Sequence, residues 1–400
     1  MLSEKSAAVV RATLPAVGGA IDEITPLFYR RMFSAHPELL TDLFNRGNQA
    51  NGTQARALAG SIAVFAGMLL EHPDRRPDAM LARIAHKHAS LGITADQYTI
   101  VHEHLFAAIA DVLGDAVTPE VAAAWDEVYW LMAGALIATE ARLYTQAGVA
   151  NGDVWRPWTV VGRIEETHDV ATFMLRPADR VPSPPFRPGQ YVSVRAELPD
   201  GARQIRQYSL SCAPNGTDRW ITVKRIAEAP GSPEGEVSNW LHANVRQGDV
   251  LGVSMPFGDI ALDEGDSPLL LASAGIGGTP MISMLAHLAA TGSTRRVIAV
   301  HADRSERTHA FRSDLGLLVG KLPCAEAHVW YERPEAAWPA DRTGLADLSG
   351  IAVPEDCRAY LCGPVPFMRS IRTQLLDRGV PANRIHYEAF GPDLGLETAA

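Results

Sequence analysis

The chain is poor in cysteine and short of positive charge, and it shows neither an export leader nor an apolar run of membrane length. Its four cysteines, Cys212, Cys324, Cys357 and Cys362, are spread over 400 residues with no Cys-x-x-Cys pair and no repeated spacing. That argues against a disulfide framework and against a cysteine-held zinc or iron–sulfur centre. Acidic residues outnumber Lys and Arg by 46 to 36, a formal net charge of -10. Nucleic acid is therefore not the expected partner, because phosphate binding needs clustered basic residues. Charges and prolines interrupt every hydrophobic stretch before the roughly 18 residues that a membrane span requires, so no integral membrane association is expected. Met1-Leu2-Ser3-Glu4-Lys5 is not a basic region leading into an apolar stretch and a cleavage site, which predicts a cytoplasmic protein. Internal repeats and low-complexity tracts are also missing.

What the chain does have is length and three changes of texture. Four hundred residues exceed what one core serves and suggest about three domains. Residues 1–150 are rich in Ala and Leu, with helical spacing of apolar residues through Ala55 to Leu70 and Val121 to Leu143. The small, polar stretch Gly148 to Asp153 reads as a linker. Residues 151–262 hold short Val-, Ile- and Tyr-rich runs separated by Pro and Gly, which predicts an antiparallel β-barrel with one helix near Val237. In residues 263–400, apolar strand candidates at Pro268 to Ala272, Arg296 to Val300, Ala327 to Tyr331 and Ala359 to Cys362 alternate with helices. That alternation predicts an α/β doubly wound parallel sheet.

Several groups of residues carry chemistry. His86 and His88 are two apart on a helix and so point roughly 200° apart, which lets only one face a given pocket. Gln54 and Leu58, four apart, share a helix face. Arg206-Gln207-Tyr208-Ser209 gathers positive charge, hydrogen bonding and stacking, the needs of a planar ring joined to a pyrophosphate. Gly235-Glu236-Val237-Ser238 precedes a helix, whose N-terminus suits a phosphate. Gly275-Ile276-Gly277-Gly278-Thr279-Pro280 follows an apolar strand and opens a helix, the setting in which glycines admit a pyrophosphate to the backbone. His102 and His104 complete no ligand pattern and are read as packing or surface histidines.

Taken in order, these segments resemble a bacterial flavohaemoglobin, a globin fused to a reductase of the ferredoxin-NADP reductase type. Ile84-Ala85-His86-Lys87-His88 is similar to the segment ending in the proximal haem ligand, which selects His88 and places Lys87 at the pocket. The resemblance makes Glu140 and Tyr98 the partners of that imidazole, Tyr29 the donor to bound dioxygen, Phe44 the haem wedge, and Gln54 and Leu58 pocket residues on the opposite side. It implies that Tyr191, Arg206, Gln207, Tyr208, Ser209, Val237 and Ser238 bind FAD, although the segment from Ala227 to Glu234 is longer than the family pattern. Glu388, Ala389, Phe390, Gly391 and Pro392 resemble the terminal segment that covers the flavin, with Ala389 where the family often has cysteine. Gly275 to Pro280 and Cys362-Gly363-Pro364 resemble the two nicotinamide-side motifs.

The implied activity is oxidation of nitric oxide by dioxygen to nitrate, with electrons passing from NADH or NADPH through FAD to haem b, in a monomer without an obligate protein partner. The alternative is an oxygen-binding or sensing globin whose reductase keeps the iron ferrous. Asp303 favours the free ribose hydroxyl of NADH and Arg304 the phosphate of NADPH, which leaves the nicotinamide open.

Overall fold

A computed structural model describes residues 1–391 except Asn51, Asp74, Arg180 and 230–232. Helices come first: α1 (Glu4–Gly19), α2 (Ile21–Ala35), α3 (Pro37–Asp42), α4 (Arg46–Ala50), α5 (Thr53–Glu71), α6 (Asp78–Leu91), α7 (Ala95–Leu113) and α8 (Pro119–Gln146). Local chemistry sets several of their ends. Thr94 and Gln97 form a reciprocal capping box at the start of α7, and Thr118 with Pro119 opens α8. Gly92 ends α6 at φ +81°, where a Cβ would sit 2.7 Å from the carbonyl oxygen of Gly152. The predicted helices at Ala55 to Leu70 and Val121 to Leu143 are α5 and α8, each extending beyond the expected bounds by less than a turn at either end.

By length and composition α8 is able to cross a membrane, although Asp126, Glu127 and Glu140 interrupt its apolar sequence. Its Ala124, Trp125, Val128, Ala133 and Leu136 lie in a core with Val10, Phe65, Leu81, Ala85 and Tyr98. A second cluster gathers Ile24, Phe28, Tyr29 and Met32 of α2 with Leu105 and Ala108 of α7.

Beyond the helices follow β1 (Trp155–Glu165), β2 (Val170–Pro177), β3 (Tyr191–Glu197), β4 (Arg203–Ser209), β5 (Arg219–Lys224), α9 (Glu236–Asn244) and β6 (Val250–Ser254). The six strands form one sheet in the order β4-β3-β6-β1-β2-β5. β1 pairs antiparallel with β2, with a bulge between Val160 and Gly162, and β2 pairs antiparallel with β5. Leu210, the residue after β4, bridges Ile221 of β5, and the Ser211 N–H donates to the Trp220 carbonyl at 2.9 Å. The sheet thus meets itself at its two ends, as a barrel does.

The last part consists of β7 (Leu269–Ala274), α10 (Gly278–Ala290), β8 (Val297–Asp303), α11 (Arg312–Gly320), β9 (Ala325–Tyr331), β10 (Arg358–Cys362), α12 (Val365–Leu376) and β11 (Ile385–Glu388). Its five strands are parallel in the order β11-β10-β7-β8-β9. Apolar residues cover both faces of this sheet, Leu269, Leu271 and Met284 in one core and Leu270, Ile298 and Leu361 in another. Burial on both faces explains why these strands read as unbroken apolar runs. The crossover falls between β7 and β10, and open sheets of this kind bind ligands outside the strand ends at that place.

The chain packs as two compact units. One holds Met1–Trp155 together with Arg195–Arg206; the other holds Arg156–Val194, Gln207–Glu228 and the residues from Glu234 onward. β4 passes from the first to the second between Arg206 and Gln207.

Candidate functional site

The site in the helical part is organised around a buried carboxyl group. Glu140 of α8 is 2% exposed, and its Oε1 lies 2.6 Å from the Tyr98 hydroxyl of α7 and 2.9 Å from Nδ1 of His88, in the last turn of α6. The same Nδ1 is 2.9 Å from the Tyr98 oxygen. Tyr98 has one proton and donates it to Glu140. Nδ1 therefore carries the imidazole proton and donates to the two oxygens, which leaves Nε2 with a lone pair. Burial first, and then the adjacent Glu140 carboxylate, raise the Tyr98 hydroxyl well above its ordinary pKa, so it stays a donor. A ring fixed through one nitrogen with the other left basic is the form in which histidine ligates iron. The donor set fits a haem. Lys87, between the two histidines, is exposed.

Tyr29, Phe44, Gln54 and Leu58 come together as a second group. The Tyr29 ring centroid lies 4.6 Å from Phe28, 5.6 Å from Phe33 and 5.8 Å edge-on from Phe44. Phe44 and Leu58 pack on the same cluster. Burial raises the Tyr29 hydroxyl well above its usual range, and the Gln54 and Gln49 amides offset this in part. The hydroxyl stays protonated, set among aromatic rings and the two amides. His102 is held at 2.7 Å by Asp126 and stacks on Phe106 with centroids 4.3 Å apart, while His104 lies edge-on to His36. Both are packing histidines, as expected.

In the barrel, Tyr191 opens β3 and Ser209 ends β4, both buried. Arg206 and Tyr208 are two apart in β4 and so project to the same side. Gln207 does not join them, because its Nε2 donates to Ser193 Oγ at 2.9 Å. Val237 and Ser238 sit buried in the first turn of α9. The Ser238 hydroxyl accepts from the Ile226 N–H at 3.2 Å and donates to the Gly235 carbonyl at 3.1 Å, while the Gly235 N–H reaches Ile226 O at 3.0 Å. These bonds close the base of the 227–234 segment, part of which lies outside the described residues. Glu388 pairs in register with Cys362, Ala389 packs against the parallel-sheet core, and Phe390 is 51% exposed. Gly391 has φ +131°, and Pro392 lies outside the described residues.

The two nicotinamide-side motifs touch backbone to backbone. Gly275 to Gly277 form a turn after β7, with Gly275 at φ +54°, and α10 starts at Gly278. A Cβ on Gly277 would fall 2.3 Å from the Cys362 carbonyl oxygen, and one on Gly363 would fall 3.0 Å from the Ala274 Cβ. Thr279 and Pro280 are buried in α10, where Thr279 Oγ1 donates to Ile276 O at 3.0 Å. Pro364 caps α12. Asp303 turns inward: its Oδ1 accepts from the Arg304 N–H at 2.7 Å and from Thr308 at 2.6 Å, and its Oδ2 lies 3.6 Å from His301 Nε2. Asp303 is thus held within its own turn, and the choice between NADH and NADPH stays open. Arg304 is exposed.

Two groups escaped the reading of the sequence. His301 stacks on His309 with centroids 4.0 Å apart, Ser273 Oγ lies 2.9 Å from His301 Nδ1, and Tyr331 lies 2.8 Å from His309. Gln204, two residues before Arg206, is fully buried; its Nε2 donates to the Phe44 carbonyl and its Oε1 accepts from the Arg46 N–H. The paired histidines eight apart were the only signal for the first group, and a glutamine at the head of a polar strand gave none for the second.

Family models match along the chain as globin over residues 27–136, oxidoreductase FAD-binding domain over 143–261 and oxidoreductase NAD-binding domain over 271–373. A flavohemoprotein from Chromobacterium violaceum is 44% identical, over 99% of this chain and 100% of the relative. The chain belongs to the flavohemoprotein family. Among solved structures, the flavohemoglobin from Malassezia yamatoensis with bound FAD and heme matches at a TM-score of 0.90 and 40% identity, covering 98% of this chain and all of that one. The FAD/NAD binding domain of a Vibrio cholerae nitric oxide dioxygenase matches at a TM-score of 0.55 and 38% identity, covering 59% of this flavohemoprotein chain and 99% of its own.

Proposed function

We propose that this flavohaemoprotein is a nitric oxide dioxygenase that converts nitric oxide and dioxygen to nitrate. Two nitric oxide, two dioxygen and one NAD(P)H give two nitrate, NAD(P)+ and a proton. When bound, the cofactors would supply the redox chemistry, FAD converting a hydride from the nicotinamide into single electrons and haem iron providing the place where the two gases meet. The observation that carries the reading is the contact of His88 with Glu140 and Tyr98, since a proximal imidazole made basic by a buried carboxylate favours oxygen activation over storage.

In this reading residues 1–150 hold haem b, 151–262 FAD and 263–400 the nicotinamide. His88 Nε2 holds the iron, while Glu140 keeps the proton on Nδ1. Tyr29 donates to a diatomic ligand in a pocket from which Phe44 and Leu58 exclude water. Arg206 meets the pyrophosphate, Tyr191, Tyr208 and Ser209 orient the flavin ring, and Val237 and Ser238 present the start of α9. The turns at Gly275 to Pro280 and at Cys362 to Pro364 receive the nicotinamide dinucleotide, and Glu388 to Pro392 cover the flavin. We assign the protein to the cytoplasm as a monomer that needs no second chain.

The test is nitric oxide consumption by the haem- and FAD-loaded protein with NADH or NADPH in air. Nitrate should form in equal amount to the nitric oxide lost. Stable oxygen binding without that consumption would establish the oxygen-carrying or sensing alternative instead.

A further inference from the structure

The short connection that bears Phe44 joins two helix ends, and helix ends leave backbone groups without intrahelical partners. Asn45 Oδ1 accepts from the N–H groups of Gly47 at 3.0 Å and Asn48 at 3.3 Å. Four further groups turn to one side chain. Gln204 Nε2 lies 3.2 Å from the Leu40 carbonyl, 3.0 Å from that of Thr41 and 3.2 Å from that of Phe44, while its Oε1 accepts from the Arg46 N–H at 3.2 Å. A single amide thus serves the end of α3 and the start of α4. Neither a carboxylate nor a hydrocarbon is able to do both, since the first lacks donors and the second lacks donor and acceptor alike. The ion pairs Arg46–Asp200, at 2.6 Å, and Arg203–Asp42 flank the same junction.

The Gln204 oxygen has another neighbour. Arg206 Nη1 lies 3.3 Å from it and 2.8 Å from the Ile205 carbonyl. All these residues belong to the first compact unit.

We infer that Gln204 is a positioning residue, whose amide fixes the Phe44 segment and ties its placement to the ligand held by Arg206. This rests on the reading above, in which Arg206 binds the FAD pyrophosphate and Phe44 borders the haem. A pyrophosphate that draws the guanidinium toward itself changes the contact on the oxygen that also holds Arg46. The effect runs both ways, because coupling between two bound ligands is reciprocal.

The experiment measures carbon monoxide affinity of the ferrous, full-length protein, with FAD bound and after FAD removal, in wild type, Gln204→Met, Gln204→Glu and Arg203→Ala. Wild type should differ between the two flavin states by about fivefold or more, the lower range of ordinary coupling. Both Gln204 variants should keep haem content and lose that difference. Arg203→Ala, which breaks an exposed ion pair without touching the amide, should keep it. The inference is overturned if a haem-loaded Gln204 variant retains the wild-type dependence on FAD, or if Arg203→Ala abolishes that dependence as completely as Gln204→Met. Should Gln204→Met fail to fold, the isosteric Gln204→Glu answers the same question. Wild type without a haem absorption band would refute the functional reading rather than this one.

Discussion

Replacing Glu140 by glutamine tests the proximal arrangement most directly. The substitution keeps the shape and one acceptor oxygen, so His88 Nδ1–H retains a partner while the negative charge at 2.9 Å disappears. A hydrogen bond to a charged group contributes roughly 1.5–3 kcal/mol and a neutral one roughly 0.5–1.5 kcal/mol, so the loss on the histidine bond is about 1–1.5 kcal/mol. The Tyr98 bond at 2.6 Å weakens as well, but it does not involve His88 Nε2. A less basic imidazole stabilises ferric iron less, and the midpoint potential should rise. Only the part of that loss that differs between ferric and ferrous iron moves the potential, so with a tenfold change in a one-electron equilibrium worth 59 mV the rise is at most about 60 mV. Spectroelectrochemical titration of the haem band in both proteins gives the number. A fall in potential, or no change at equal haem content, would refute the claim that Glu140 tunes the iron through His88.

His88→Ala should lose normal haem retention while reduction of flavin by the nicotinamide continues, and His86→Ala should bind haem as wild type does; absorption spectra of the purified variants check both. A third expectation concerns acid. Burial, then the neighbouring His301, hold His309 near about 2, far below its ordinary value. Its folded pKa is depressed, so its contribution is complete above the unfolded value of about 6.5 and declines as pH falls from there toward 2, by up to about 1.4 kcal/mol per pH unit. His309→Gln should therefore flatten the loss of stability between pH 6.5 and 5, read as urea midpoints at each pH; an unchanged slope would place the sensitivity elsewhere.

Much of the architecture was legible because its signals are local. Helical spacing marked α5 and α8, two-sided burial turned β7, β8 and β10 into apolar runs, and the glycines at 275 and 277 stood where a strand becomes a helix. The residues of the His88 site were legible only through resemblance, since Tyr98 and Glu140 are 42 positions apart and nothing in composition joins them. What stayed hidden depended on tertiary contact. β4 is too polar to read as a strand, with Arg203, Gln204, Arg206 and Gln207 among its seven residues. β11 is four residues long. The inward turn of Asp303 depends on Thr308 and His301, and a carboxyl group at a strand end carries no mark of its direction.

The Gln204 amide also bears on how the molecule is made. Its bond to the Phe44 carbonyl spans 160 residues, and at synthesis rates of roughly 5–20 residues per second that separation corresponds to about 8–30 s. Helices α3 and α4 emerge from the ribosome early, yet the group that completes their facing ends arrives only with β4. A nascent or truncated chain stopping at the linker would carry α1 to α8 and still leave the carbonyls of Leu40, Thr41 and Phe44 to water. The oldest part of the nascent protein is thus finished by a strand translated long after it, and until that strand is made the segment bearing Phe44 lacks the amide that closes it.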